Sequence, residues 1–197
     1  MDDKATLLNY LRTRRQDLLG KVEGLSEYDA RRPMTPTGTN LLGLVKHVAS
    51  VELGYFGETF GRPNGRELPW YADDAEPDAD MWVPADESMQ DIIDLHHFSA
   101  KHSDETIEAL PLDAPGVVPW WSDEKKNVTL HQILVHMCVE TARHAGHADI
   151  IRELIDGQAG QRPDDPNIPR RTPEELAAHR QRIEQAALEA SAPATQT

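Results

Sequence analysis

Between Val128 and Gly157 the chain carries one long amphipathic segment, VTLHQILVHMCVETARHAGHADIIRELIDG, whose apolar stripe is interrupted by a carboxylate and an imidazole. Leu130, Ile133, Leu134, Met137, Thr141, Ala148, Ile151 and Ile155 recur every three or four residues, the spacing of a helix laid against a core. Glu140 and His144 fall within or at the edge of that face, one turn apart. Thr129 followed by Gln132 has the pattern of a capping box, and Gly157 that of a C-terminal stop. A carboxylate and an imidazole are costly to bury unless something pairs with them. The fold must therefore bring a partner to the middle of this helix, and a metal ion would satisfy both groups.

The remaining periodic segments supply what that helix packs against. Residues 4–22 read as a first helix with Leu7, Leu8, Leu11, Leu18, Leu19 and Val22 on one side, and Arg12, Arg14 and Arg15 as its solvated face. The break PMTPTGTN follows, with Thr39 or Asn40 as the cap of a second helix over residues 41–60. Leu44, Val48, Val51 and Tyr55 form its stripe, and His47 lies beside it. A connection over residues 61–86 carries Pro63, Pro69, Pro77 and Pro84 and an acidic cluster at residues 73–80. A third helix over residues 87–110 rests on Ile92, Ile93, Leu95, Phe98, Ile107 and Leu110. With no convincing alternating strand, the expected fold class is all-α, a four-helix bundle over residues 1–157. The connection after the second helix, about 25 residues, is too long for a tight hairpin and predicts a crossover between helices two and three. Residues 158–197 are expected to form a Pro-rich linker and a C-terminal helical extension. That helix starts at Thr172, Pro173 and Glu175, and its weak stripe of Leu176, Ile183 and Ala187 would pack on the bundle or on a partner subunit.

Charge narrows the partners. Acidic residues number 34 against 20 basic ones, a formal charge of −14 that repels a phosphate backbone and an anionic lipid surface, so neither nucleic acid nor membrane is expected. The start MDDKATLLNY has neither the basic region nor the apolar run of a signal peptide, and no segment has the length of a membrane span. Cys138 is the sole cysteine, which excludes an intrachain disulfide and fits a cytoplasmic location; beside Met137 it reads as a small buried hydrophobe.

Metal ligands in a helical bundle converge from facing helices. Glu140 and His144 form a pair on one helix, and His47 is the natural third ligand from another. Two imidazoles and one carboxylate leave open positions on a divalent ion, as in catalytic sites. Glu140 could instead pair with Arg143, Arg152 or an arginine of the first helix. His136 is also one turn from Glu140, but three ligands strung along one helix would span about 12 Å, too far for one ion. His147 would replace a ligand or carry a proton beside the metal. His96, His97 and His102 share no face, and with His131 and His179 they are assigned to solvent. All four tryptophans, Trp70, Trp82, Trp120 and Trp121, fall in the two long connections. They either anchor loops over the core or, with Tyr71, wall an apolar cleft above the metal. Phosphate-binding loops, Ser/His/Asp signals and cysteine zinc patterns are absent from the sequence.

Three segments in order, TGTNLLGLVKHVASVELGYFGETFGR, LPWYADDAEPDADMW and the helix containing Glu140 and His144, resemble the DinB/YfiT-like superfamily. The resemblance spans roughly residues 5–157 and is nearest to an actinobacterial domain-of-unknown-function branch, some of whose members are called mini-circle proteins. It implies a DinB-like four-helix bundle with the crossover between helices two and three, often a homodimer, and a divalent metal held by one His of the second helix and two His four residues apart on the fourth. His47 and His144 match that pattern. Glu140 stands where many members have His, an arrangement that resembles the mycothiol-dependent maleylpyruvate isomerase branch, and His147 falls where many relatives carry Gln. The implied activity is a metal-dependent S-transferase or isomerase that joins a mycothiol-like thiol to an electrophilic small molecule. Zinc is the first expectation for the metal, with nickel or manganese as alternatives. The competing expectations are a metal hydrolase, in which His147 shuttles a proton of metal-bound water, and a non-catalytic dimeric, stress-related binding bundle.

Overall fold

The computed structural model describes residues 2–191 of the chain. They divide into two units, Met1–Pro163 and Asp164–Thr197. In the first, four long helices alternate with shorter elements: α1 (Asp3–Leu19), the short α2 (Glu27–Arg31), α3 (Leu41–Phe56), α4 (Met89–Ala109) and α5 (Leu130–Asp156). Between α4 and α5, β1 (Pro115–Val117) and β2 (Asn127–Thr129) pair antiparallel, with Gly116 opposite Val128. The sequence pattern misses this hairpin because a three-residue strand is too short to display alternation. Helix α2 is likewise one turn and a half, started by Ser26, whose hydroxyl accepts from Asp29 N.

The four long helices are begun by side chains that satisfy orphan amides. Asp2 caps α1 at Ala5 N, Asn40 caps α3 at Gly43 N, Ser88 and Asp91 form a capping box on α4, and Thr129 accepts from Gln132 N on α5. Gly157 closes α5 at φ 82°, a left-handed position that glycine adopts without a Cβ clash. Helix α3 stops at Phe56 rather than residue 60, where Gly57 leads into a single 3₁₀ turn, Glu58–Phe60.

Helix α3 packs against α4 and α5, and α1 packs against α5 and α4, so the four close on one another as an all-α DinB-like bundle. Residues 57–88 cross over between α3 and α4. One end of the core joins Leu18, Leu41, Leu44, Val45, Val48, Ile92, Ala148 and Ile151; the other joins Leu8, Leu11, Phe56, Ile107, Val118, Ile133, Leu134 and Met137. The α5 stripe expected from spacing is buried from Leu130 to Ile151, with Ala145 and Arg152 added, while Ile155 is only partly covered. Among the described residues, no helix is long and apolar enough to cross a membrane.

Two sequence expectations are corrected inside this bundle. Arg15, expected on a solvated face, is 3% exposed, and its guanidinium meets Glu52 of α3 at 2.9 Å and Asp104 of α4 at 2.6 Å. Arg12 does remain at the surface, bonded to Asp104 and Glu108. His96, expected in solvent, is buried, and its pKa is lowered to about 3, chiefly by burial and then by the charges of Arg15 and His97. A helical period fixes which residues share a face, but an arginine is accepted inside when a carboxylate from a distant helix meets it.

In the second unit, α6 (Pro173–Ser191) begins with Thr172 and Glu175 capping each other reciprocally. None of its residues is buried, and Leu176, Ile183 and Leu188 are exposed. Residues 158–163, expected to open the linker, belong to the first unit.

Two outcomes are expected. Glu52→Ala strands the buried Arg15 charge and lowers stability by about 3 kcal/mol, the lower end for a broken buried pair because Asp104 remains; denaturant unfolding measures it. His96 is held neutral in the folded chain while the unfolded side chain titrates near pH 6.5, so its contribution to stability is complete above about pH 6.5 and declines as the pH falls toward 3. His96→Leu should give a shallower loss of unfolding midpoint between pH 6.5 and 4.

Candidate metal centre and its cleft

The charge of Glu140 is balanced from α3 and from its own helix. His144, four residues on, places Nε2 at 3.0 Å from Glu140 Oε1, the pairing that one helical turn provides. His47 of α3 brings its Nε2 to 3.5 Å from the same oxygen. The two imidazoles meet edge to face with centroids 4.8 Å apart, and the three potential ligand atoms all lie within 4.8 Å of one another. Of the other partners open to Glu140 on sequence grounds, Arg15 is committed to Glu52 and Asp104, and Arg152 to Asp156 and to the carbonyls of Lys21 and Glu23.

His47 Nδ1 lies 2.6 Å from Asp80 Oδ2, in the crossover, and that carboxylate also accepts from the Tyr71 hydroxyl at 3.3 Å. With its Nδ1 proton held by Asp80, His47 faces Glu140 with Nε2, and only a proton or a cation makes that approach favourable. Burial acts against a charged His47, but the hydrogen bond and charge of Asp80, then those of Glu140, outweigh it and raise its pKa. For His144 burial and the neighbouring His47 charge outweigh Glu140, and the pKa is lowered. Burial opposes the anionic form of Glu140 and of Asp80, yet their histidine partners hold both pKa values below the ordinary carboxylate range. Burial and the Asp80 charge push the Tyr71 phenol upward, so it stays a donor.

The three atoms are close enough that they could hold a divalent ion. Ligands about 2.1 Å from a tetrahedral centre are separated from each other by about 3.4 Å. The separations of 3.0 and 3.5 Å about Glu140 Oε1 are of that size, while the set as a whole spreads over as much as 4.8 Å, so the two imidazoles would draw together on an ion. The carboxylate behind His47 is also the usual support of a metal-bound imidazole.

Beside this cluster opens a cleft of about 670 Å³, lined by His47, Val51, Tyr55, Glu58, Arg66 and Trp120 among others. Of the four tryptophans offered as its wall, Trp120 takes that place, packed edge-on to Tyr55 at 5.2 Å. Trp121 lies behind Tyr55 and donates from Nε1 to its hydroxyl at 3.2 Å. Trp70 lies under Lys46 Nζ, which is 4.0 Å from the ring centroid, and donates to Ser50 Oγ. Trp82 gives Lys46 its backbone carbonyl while its side chain is half exposed. His147 is exposed, its ring 5.3 Å from that of His144. His136 belongs to the Tyr55 and Trp121 aromatic cluster and is not one of the three grouped ligand residues.

In the sequence Asp80 is one more member of an acidic cluster, and no motif singles out Lys46, Gly54, Glu58 or Arg66. Nothing in the local pattern separates Asp80 from its acidic neighbours, and its distance from His47 along the chain hides the pairing. A Cβ on Gly54 would stand 3.0 Å from the Trp120 ring, so glycine sets how closely that ring approaches α3. Gly54→Val should displace Trp120 and alter the cleft, read as a changed tryptophan emission with the secondary structure retained.

The family model described as MST, mycothiol-S-transferase, matches residues 6–157 of the chain. No curated protein matches it.

Proposed function

The chain belongs to the mycothiol-S-transferase family, and on that footing we propose that it transfers a low-molecular-weight thiol of the mycothiol type to an electrophilic small molecule, at a divalent metal held by His47, Glu140 and His144. The observation that carries this reading is the convergence of two imidazoles and one carboxylate within 4.8 Å beside an open cleft. Bound there, a divalent cation supplies the positive charge that keeps a thiol sulfur deprotonated. Two nitrogens and one oxygen favour zinc, with nickel or manganese as alternatives, and leave room for an exogenous ligand.

The chain's own residues then have separable tasks. Asp80 holds the proton on His47 Nδ1, so that Nε2 is the nitrogen offered to the cluster. Trp120, Tyr55 and Val51 give the electrophile an apolar wall and exclude water from it, while Glu58, Asn64 and Arg66 offer polar contacts farther along the cleft. To His147, exposed with its ring 5.3 Å from that of His144, we assign the proton that the thiol gives up and its release to solvent. The thiol sulfur forms the new bond to the electrophilic carbon, and the electron pair displaced there leaves with the departing group or is protonated in the product.

We extend the reading to assembly as a homodimer, which the outer face of α5 supports. Val135, Val139, Ile150 and Leu154 are all exposed along it.

Elemental analysis and calorimetry should find near-stoichiometric metal in the native chain, and His47→Ala, Glu140→Ala and His144→Ala should each weaken binding by more than the roughly 10–100-fold that losing a group behind a ligand costs. Conjugation of mycothiol to a model electrophile should require that metal. Thiol-independent turnover of esters or amides would instead favour the hydrolase.

A further inference from the structure

The crossover is held in one register along the first half of α3. Asn40 Nδ2 donates to Met81 O at 3.2 Å, while Asn40 Oδ1 caps the helix at Gly43 N at 2.8 Å. A Cβ built on Gly43 would lie 1.8 Å from Met81 O, so the two backbones approach this closely only because residue 43 is glycine. One turn on, Lys46 Nζ donates to Trp82 O at 3.1 Å and pairs with Glu87 at 3.2 Å. With Met81 and Trp82 fastened in this way, Asp80 faces His47, and its Oδ2 stands 2.6 Å from Nδ1.

An imidazole has two nitrogens and can present either one, depending on how its ring turns and where its proton sits. A carboxylate on Nδ1 settles both choices and makes Nε2 the better donor to a cation. Asp80 is well covered, with 14% of its side chain exposed against 19% for His47, so water competes weakly for this bond. Tyr71, from the 3₁₀ turn Pro69–Tyr71 of the same crossover, donates to the same oxygen and steadies the carboxylate. His144 has no such support: its Nδ1 is buried without a hydrogen-bond partner among the described residues. The orientation of the ligand set therefore depends on the crossover at His47 more than at His144.

We propose that Asp80 is the positioning residue of the His47, Glu140 and His144 cluster, and that the close contact of Gly43 with Met81 is what delivers it. This inference rests on the metal-centre reading above. Its consequence is that metal affinity is set in part by a glycine that touches no ligand. Tyr71 contributes a smaller share by holding Asp80.

The test compares the native full chain with Asp80→Asn, Tyr71→Phe and Gly43→Ala, using zinc titration by calorimetry, thermal unfolding, and the imidazole proton signal of His47 in the zinc-free, nitrogen-15-labelled protein. In the native chain His47 Nδ1 should show a low-field, slowly exchanging proton. Asp80→Asn should abolish that signal and weaken zinc binding by about 10–100-fold, the range found when support behind a metal-bound imidazole is lost. Gly43→Ala should move both readouts in the same direction, and Tyr71→Phe should do so to a lesser extent. Native-like zinc affinity in Asp80→Asn, with the His47 proton unchanged, would overturn the inference while leaving the metal centre standing. Affinity losses that merely follow the loss of thermal midpoint, with the proton signal retained, would overturn it too. A native chain that takes up no zinc, nickel or manganese would overturn the metal-centre reading itself, and the inference with it.

Discussion

The electrostatics of α5 depend on how one charge, Glu140, is matched in the middle of a core-facing helix. An arginine would settle that charge permanently, since a guanidinium stays protonated and forks onto a carboxylate. Two imidazoles balance it differently: each can give up its proton, and each then offers a lone pair that a cation can take. The arginines near the core are occupied elsewhere, Arg15 with Glu52 and Asp104 and Arg152 with Asp156 and two carbonyls. That allocation leaves Glu140 to His47 and His144, and a structural ion pair becomes a candidate ligand set.

The two charged layers have distinct roles. The network of Arg15, Glu52 and Asp104 ties α1, α3 and α4 together. Such a network specifies which helices are neighbours more than it adds to net stability, because desolvating the charges offsets most of their attraction. The cluster at His47 sits where α3, α5 and the crossover meet, beside a cleft walled by Trp120 and Tyr55. A rigid frame on one side and a lined opening on the other is the arrangement expected of a small-molecule site in a helical bundle.

The crossover does more than join α3 to α4. Its proline-rich path includes one short stretch, residues 80–82, that is bonded to α3 through Asn40, Lys46 and His47 and packed against Gly43. Membership of the mycothiol-S-transferase family gives the cleft its chemical context, and this stretch explains how a loop contributes to a site whose three candidate ligands all lie on helices.

Several features were legible from the chain alone because they are local. Periodicity marked the four long helices, and cap residues such as Asn40, Thr129 and Gly157 act on amides and carbonyls only a few positions away. Glu140 and His144 could be read together because four residues make one turn. His47 could be proposed with them because bundle helices face one another. Asp80 as the partner of His47, Glu52 as the partner of Arg15, the burial of His96 and the choice of Trp120 over Trp70, Trp82 and Trp121 as cleft wall were decided by tertiary structure alone. The physical reason is that a helical period states which side chains share a face, whereas the group that meets them is set by how distant segments pack, and that pairing leaves no mark on the spacing of either segment.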